Sequence, residues 1–400
     1  MRQLSGTDLR PNIDPVGATG FAILGAGLIA IAYGLARYAF GLFVPSIRSE
    51  IGLSASEVGV VSSLAFISFC LASVVAPLIV DRLGSRYSAV LAGTFALVGL
   101  TLISQAGDIT TLGTGVFSCG IATGLMMPAL SAGAQIAVKP DLRGRVNAVM
   151  NAGTSFGLLV CVPAVLILSG EWRIAYGSFA VMAALGIVAA LALLPGLTDR
   201  QKDKTAPASL PLDKSRWLEV ARLIAFCVTM GVISAAYWIF APDLVVETGE
   251  LSERSTGWLW LVVGFAGLLG AWASDLGENL GAPTTQALAL VALSAATALI
   301  AIAPEQLWVA LLSAAIFGWA FMTLTGLYLV TGIRLLRERP SMGPVVPFLA
   351  ITIGQAIGSP LVGETITNLG YIDAFKAFAI AGLLVAAASP FFPRWSGQGA

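Results

Sequence analysis

Long apolar runs alternate with short polar segments along the whole chain. Twelve runs reach the roughly 20 residues that a helix needs to cross a hydrocarbon core. They lie at approximately 18–45, 56–80, 87–106, 111–138, 146–169, 173–195, 219–244, 256–277, 284–303, 306–333, 345–368 and 374–393. A long polar stretch separates the sixth run from the seventh. The pattern predicts twelve membrane-spanning helices, grouped as one bundle at 1–195, a linker at 196–216 and a second bundle at 217–400.

The composition fits a chain that is solvated by lipid. Charged residues make up 11% of the sequence, against roughly 25% in globular proteins. Apolar residues make up 57%, and the mean hydropathy is +0.88. Such a chain has too little polar surface to cover itself in water, so we expect an all-α integral membrane protein. Because 22 basic residues balance 22 acidic ones, no overall charge points to nucleic acid.

The basic residues are distributed unevenly between the two sides of the predicted membrane. Seventeen of the 22 lie on the side of the chain termini, four lie on the opposite side, and Arg37 lies inside the first span. Cytoplasmic loops of membrane proteins carry the excess of lysine and arginine. This distribution predicts a multi-pass membrane protein with both termini and the linker in the cytoplasm.

The two predicted bundles repeat each other in sequence. Pro45 and Pro242 are 197 residues apart, and so are Gly34 and Gly231. Three pairs of short segments continue the series: 53–59 with 251–257, 81–86 with 278–283, and more loosely 170–176 with 370–375. Parallel repeats of this kind are typical of proteins whose central cavity opens alternately to each side of the membrane.

Several absences limit the chemistry. The chain has no histidine, which removes the commonest metal ligand and general base. The four cysteines stand apart inside apolar runs, where packing is their expected role; they are Cys70, Cys119, Cys161 and Cys227. No phosphate-binding glycine loop appears. We therefore expect no metal, no cofactor and no enzymatic activity.

Two motifs resemble the major facilitator superfamily. The segment PLIVDRLGSR at 77–86 is similar to that family's GxLaDrxGrr signature, with Pro77 in place of its first glycine. The stretch at 33–54 resembles the YbfB-type branch. The resemblance covers nearly the whole chain. It implies two pseudo-symmetric six-helix bundles and a monomeric secondary transporter of a small solute in the cell inner membrane.

The resemblance also implies a gating role for the short turn after the second span. Its residues are Asp81, Arg82, Gly84 and Arg86. Gly84 permits the tight chain reversal, and Asp81 can accept hydrogen bonds that latch the bundles when the cytoplasmic side is closed. Arg143 is a candidate partner. The alternative is a basic turn that only sets the orientation of the chain.

Arg37 is the charge that the pattern places inside the membrane. Such a charge is costly unless it faces a partner or water, and it marks a functional candidate. Tyr33 lies one helical turn earlier, so we expect it on the same face of the helix as Arg37. Tyr38 is adjacent in sequence. A guanidinium suits a carboxylate, sulfonate or phosphate because two parallel hydrogen bonds form. The alternatives are extension toward the outer headgroups and a structural ion pair, for instance with Glu364.

Further candidates lie on other spans. Tyr237, Trp238, Trp319 and Gln355 fall near mid-membrane, and the resemblance implies that spans 1, 4, 7 and 10 line the cavity. Ordinary packing is the alternative for each aromatic residue. The acids considered for proton coupling lie near span ends; they are Glu57, Asp243, Asp275 and Glu364. We expect Glu364 to be the coupling acid, whose protonation frees Arg37 to take an anion.

The sequence thus predicts a transporter that carries a small, anionic organic solute by alternating access. A coupling proton and the lipid bilayer are its other expected partners, and nucleic acid is not one. Efflux of amphipathic or cationic compounds is the alternative within transport. A membrane sensor that does not transport, or a lipid-handling protein, is the alternative from another class.

Overall fold

The computed structural model describes residues 17–168, 170–196, 214–337 and 342–395, and every described segment of regular structure is helical. The helices are α1 (Ala18–Ile51), α2 (55–83), α3 (85–104), α4 (Ile109–Ala137), α5 (Arg143–Ile167), α6 (Trp172–Leu193), α7 (Lys214–Glu247), α8 (254–280), α9 (Ala282–Ile302), α10 (Leu307–Leu335), α11 (Met342–Leu369) and α12 (Tyr371–Ala387). The predicted linker falls almost wholly outside the described residues, as do the first 16 residues.

The helix lengths confirm the twelve predicted spans. Within the described ranges, nine helices are long and apolar enough to cross a membrane, and α8, which bends by 49°, makes a tenth. The continuous segment Ala55–Ser104 holds two spans because its backbone breaks at Gly84. The 17-residue helix α12 completes the set. Side chains at the surface of these helices are largely apolar, as a hydrocarbon solvent requires.

Local signals in the sequence set several helix starts. Ser54 accepts a hydrogen bond from the backbone N–H of Glu57, whose carboxylate accepts one from the N–H of Ser54. This reciprocal capping box satisfies two backbone donors at the start of α2. Asp108 caps α4 by accepting from the N–H groups of Thr110 and Thr111. Glu57, one of the candidate coupling acids, therefore serves as part of a helix cap.

The backbone confirms the internal repeat. Six described residues have positive φ, and they fall into three pairs related by the repeat: Gly52 with Glu250, Gly84 with Gly281, and Gly170 with Gly370. In this left-handed region glycine is favoured because it has no Cβ. Gly84 makes the predicted reversal with φ 72°. The same sharp turns thus end the corresponding helices of both bundles.

Glycine contacts between helices follow the same repeat. Gly34 of α1 packs on the backbone of Gly157 in α5. In the second bundle, Gly231 of α7 packs on Gly354 in α11. The 197-residue offset relates Gly34 to Gly231 and also Gly157 to Gly354. Close backbone approach at small residues is the usual way in which membrane helices associate.

The two bundles meet mainly through α1 against α7, α2 against α11 and α5 against α8. We call the end of the molecule away from the chain termini the distal end; it contains the loops 52–54, 105–108, 248–253 and 303–306. The hydrogen bonds described between the bundles lie at this end. They join Ser46 to Glu253, Arg48 to Asp243 and Tyr371, Ser56 to Glu364, and Thr256 to the carbonyl of Leu42.

Two features of the helices differ from the predicted pattern. Helix α1 contains a π-helical segment, Ala30–Tyr38, between its α-helical ends. Helix α8 passes through a 3₁₀ turn at Leu268–Trp272. Both are irregularities of backbone hydrogen bonding inside continuous apolar runs, so hydropathy alone does not reveal them. The first one carries Arg37.

Candidate functional site

Arg37 lies inside the protein between the two bundles. Its side chain does not extend to the surface, since the residue is only 7% exposed. Its guanidinium carbon lies 4.6 Å from the ring centre of Phe69, 5.2 Å from that of Phe66 and 5.5 Å from that of Tyr38. Nε and Nη1 are buried without hydrogen-bond partners. Three aromatic rings therefore surround a cation that has two unused donor nitrogens.

The π-helical segment of α1 positions this arginine. At its end the N–H of Ala39 donates to the carbonyl of Gly34, five residues earlier. Thr123 of α4 donates to the carbonyl of Ala32 at 3.0 Å, so a side chain supports the irregular backbone. Short π-helical turns are frequent at functional sites. The wider turn places each side chain on a different face of α1 from the one that it would occupy in a regular α-helix.

A small cavity opens beside Arg37. Its volume is ≈ 40 Å³, room for about three water molecules. Helices of both bundles line it, with Arg37, Tyr38 and Phe66 on one side and Trp238 and Gln355 on the other. The structure therefore brings together four predicted binding residues: Arg37, Tyr38, Trp238 and Gln355. A cavity of this size must widen before an organic solute enters.

An aromatic cluster forms the wall contributed by the second bundle. Trp238 packs edge-on against Trp260, Phe317 and Phe321, with ring centres 5.1–5.7 Å apart. Across the bundle interface its ring lies 5.4 Å from that of Tyr38. The indole N–H groups of Trp238 and Trp260 are buried without acceptors. The cluster thus adds unused hydrogen-bond donors to those of Arg37.

Three of the predicted binding residues lie away from this cavity. Tyr33 packs its ring against Phe69, with centres 6.5 Å apart. Tyr237 stacks on Phe317 at 3.9 Å and shares a 2.8 Å hydrogen bond with Ser313. Trp319 packs partly buried against the core. Each therefore has a packing role in this conformation.

Glu364 does not meet Arg37. Its carboxylate accepts hydrogen bonds from Ser56 at 3.0 Å and from Asn368 at 2.9 Å, and the residue is exposed at the distal end. Arg37 lies deep between the bundles instead. The expected pair is not formed because the two side chains occupy different depths along the molecule.

The predicted gating residues cluster at the end that carries the termini. Asp81 and Arg82 are exposed. Arg86 donates to the carbonyl of Leu194 at 2.7 Å. Arg143 donates to the carbonyls of Val138 and Gln135. These described bonds stay within the first bundle, so in this conformation they cap helix ends rather than join the bundles.

A buried acid at the distal end was not selected from the sequence. Asp243 of α7 has no exposed surface. Its Oδ2 lies 3.0 Å from Nη1 of Arg48 in α1, and it also accepts a hydrogen bond from Tyr371 at the start of α12. From the sequence, Asp243 is one of four candidate acids near span ends. Tertiary packing, invisible in the hydropathy pattern, buries it.

A larger apolar groove lies outside this site. It has a volume of ≈ 310 Å³ and runs between α1, α5 and α6. Glycine, alanine and larger apolar residues line it, among them Leu24, Phe156 and Met182. None of the described residues that line it carries a polar side chain to orient a solute. The groove therefore suits hydrocarbon chains, and the smaller polar cavity is the candidate site.

Twelve spanning helices in two repeated bundles, with a buried cation and aromatic cluster between them, define a polytopic membrane transporter. The sequence profile of the Major Facilitator Superfamily matches residues 26–343. The chain belongs to this superfamily of secondary transporters, and its members are not enzymes.

Known proteins support the fold at low sequence identity. The uncharacterized transporter YycB of Bacillus subtilis (strain 168) is 28% identical over 254 residues, 60% of the length of each protein. A mutant of the nucleoside transporter NupG superimposes with a TM-score of 0.80 at 13% identity, covering 93% of this chain and 100% of that one. The peptide transporter POT in complex with sulfate gives 0.73 at 15% identity, covering 92% and 93%.

Proposed function

We propose that this protein transports a small organic anion by alternating access, with Arg37 as the group that binds the anion. The observation that carries the proposal is the buried guanidinium that borders the cavity between the bundles with Nε and Nη1 unpaired. A buried charge without an acid partner is costly. An incoming carboxylate, sulfonate or phosphate would supply both the counter-charge and two parallel hydrogen bonds.

The surrounding donors favour the same class of solute. Trp238 lines the cavity, and its indole N–H lacks an acceptor. The indole of Trp260 packs against it, and its buried N–H also lacks an acceptor. Indole nitrogens donate and do not accept. A site with unused donors and a positive charge is matched by an acceptor-rich anion whose apolar part packs on the rings.

The orientation of the chain sets the direction in which this conformation opens. We infer from the basic residues that the termini are cytoplasmic in a cell inner membrane. The distal end, where the described bonds between the bundles lie, then faces outward. On this basis the conformation is closed to the outside, and the gating residues Asp81, Arg82, Arg86 and Arg143 form their latch in the opposite state. We also propose that residues 1–195 and 217–400 are the two moving units.

The aromatic cluster supports a second candidate function. Flat amphipathic or cationic compounds bind well to aromatic faces, and Trp238, Phe317 and Phe321 offer such faces. The nearby guanidinium repels a cation.

We also propose that the chain belongs to the YbfB-type branch of the superfamily, because the stretch at 33–54 resembles that branch.

A ligand screen on two variants tests the anion proposal. The purified protein is heated with a panel of organic anions, cations and neutral solutes. A ligand at 100 times its Kd raises the free energy of unfolding by about 2.7 kcal/mol. We expect anions to raise Tm for the wild type and not for Arg37→Gln, because glutamine removes the charge and the paired donors.

The matched control is Arg222→Gln. Arg222 forms a half-exposed pair with Glu219 on α7, away from the cavity, so its loss changes net charge equally and leaves the anion shift in place. Anions that pass the screen are then tested for flux in proteoliposomes. Anion shifts that survive Arg37→Gln, or shifts confined to cations, contradict the proposal and favour efflux of cationic compounds.

A further inference from the structure

Asp243 joins the two bundles at the distal end. Its carboxylate has no exposed surface, although α7 ends only four residues later. Oδ2 accepts from Nη1 of Arg48 at 3.0 Å and from the hydroxyl of Tyr371, while Oδ1 is buried without a partner. Arg48 belongs to the first bundle, and the other two residues belong to the second. The pair therefore exists only while the distal ends of the bundles are together.

The other charged and titratable groups around Asp243 are few. Glu247, one turn further along α7, lies 3.8 Å from Arg48 with its side chain 43% exposed. From α12 the facing group is Tyr371, to which Arg48 also donates at 2.8 Å. From the start of α8, Glu253 belongs to the same layer but accepts from Ser46 of α1. Arg48 is thus the cation described in contact with Asp243.

Opening the distal end must pull Arg48 away from Asp243. Removing one partner of a buried ion pair is strongly unfavourable because the remaining charge is uncompensated. A proton on Asp243 removes that cost, since a neutral carboxyl keeps a hydrogen bond with Tyr371 and needs no cation. Binding of a proton and opening of the distal end therefore favour each other, as linkage between two equilibria requires.

We propose that Asp243 is the proton-binding site of this transporter, and that its protonation releases Arg48 and opens the distal side of the cavity. The proposal rests on alternating access but not on the nature of the solute. It replaces Glu364, which is exposed and bonded to Ser56, as the coupling acid. The proton reaches the site from the distal side, where Arg48 keeps 21% of its side chain exposed.

A distance measurement tests this proposal without any solute. Spin labels are placed at Gln105→Cys and Gln306→Cys, which are exposed positions at the distal end of different bundles. The background carries Cys70→Ala, because Cys70 is half-buried while the other three cysteines are buried. We expect the label–label distance to lengthen as the pH falls from about 8 to about 5, a range that shielded carboxylates reach.

Three variants locate the proton. Asp243→Asn keeps the shape of the side chain and cannot ionise, so we expect a long distance at every pH. Tyr371→Phe removes one donor from the carboxylate, so we expect the transition to persist with its midpoint at higher pH. Glu247→Gln removes the neighbouring exposed acid, and the transition should remain.

Each alternative result overturns the assignment. If the label–label distance in the wild type does not change with pH, a proton does not drive the opening. A pH response that survives Asp243→Asn, or that disappears in Glu247→Gln, places the proton elsewhere. Failure of the anion screen on Arg37→Gln leaves these distances unaffected, so the two proposals fail separately.

Discussion

At the scale of single residues, Arg37 is a buried cation that pairs with no acid among the described residues. Placing an arginine at the centre of a membrane helix costs about 2.5–3.5 kcal/mol on insertion scales. Each aromatic ring facing a cation returns about 0.5–2 kcal/mol, and Arg37 faces three rings. The rings therefore offset much of the cost of the charge. They do not satisfy its N–H groups, which remain available to a solute.

Trp238 tests whether the indole donors take part in binding. Phenylalanine keeps an aromatic ring at this position and removes the N–H, and a hydrogen bond to a charged group contributes about 1.5–3 kcal/mol. We expect Trp238→Phe to weaken anion binding by roughly 10- to 100-fold, measured by calorimetry on a hit from the screen.

The matched control for this substitution is Trp217→Phe, at an exposed position near the start of α7. Its affinity for the anion should equal that of the wild type. Equal affinity in Trp238→Phe as well would contradict a hydrogen bond from this indole and leave the tryptophan a purely aromatic role.

The sequence singles out Arg37 as a buried charge but does not show that Asp243 is buried, and the reason is physical. A charge in the middle of an apolar run has no water nearby, so hydropathy alone marks it. Asp243 lies near the end of its run, where carboxylates usually reach solvent. Only the packing of α1 and α12 over the end of α7 removes that solvent. The burial is a property of three distant segments together.

At the scale of elements, the π-helical segment of α1 decides which side chains share the cavity. Tyr33 was expected beside Arg37 on a regular helix, four residues apart. In the structure Arg37 and Tyr38 line the cavity while Tyr33 packs on Phe69. The π-helical hydrogen bonds, which join residues five positions apart, depend on contacts such as that of Thr123 from α4. The sequence of α1 alone therefore does not reveal the π-helical segment.

The contact between α1 and α5 gives a stability prediction. A Cβ on Gly34 would overlap the backbone of Gly157, and overpacking of this kind costs about 1–3 kcal/mol. We expect Gly34→Ala to lower the Tm of the purified protein. Because the segment 30–38 must shift to relieve the overlap, anion binding should weaken as well.

The control lies in the same helix. A Cβ on Gly27 meets nothing within 4 Å, and alanine is a better helix former than glycine by about 0.5–1 kcal/mol. Gly27→Ala should leave Tm unchanged or raise it. If Gly34→Ala matched that behaviour, the two helices would not pack as closely as described.

At the scale of the whole molecule, the repeat relates the turns and the helix contacts of the two bundles. The pairs Gly84 with Gly281 and Gly170 with Gly370 adopt the same positive φ. The proposed anion-binding residue does not follow the repeat, since Ser234 occupies the position 197 residues after Arg37. Symmetry thus builds the frame, and departures from symmetry supply the polar groups of the cavity.

The closed distal end gives a prediction for transport. Ser56 of α2 donates to Glu364 of α11 at 3.0 Å, so thiols at both positions come within reach of a short bifunctional reagent. In the Cys70→Ala background, we expect a methanethiosulfonate cross-link between Ser56→Cys and Glu364→Cys to stop flux in proteoliposomes. Reduction should restore it, because the bundles can then separate.

Each single cysteine variant serves as the control and should keep its flux after the same treatment. Full transport by a protein that is completely cross-linked would show that these ends need not separate, and it would contradict alternating access by movement of the two bundles.

The sequence by itself determined the class of protein, the twelve spans, the repeat and the one charge buried in the first span. These follow from the cost of placing polar groups in hydrocarbon, which acts on every residue of a run and so leaves a pattern along the chain. Only the tertiary structure decided which groups meet. It placed Trp238 and Gln355 beside Arg37, left Tyr237 and Trp319 to packing, and buried Asp243 against Arg48. The contacts of Arg37 and Asp243 with the opposite bundle join residues that lie 195 or more positions apart, and they depend on the conformation of both bundles at once.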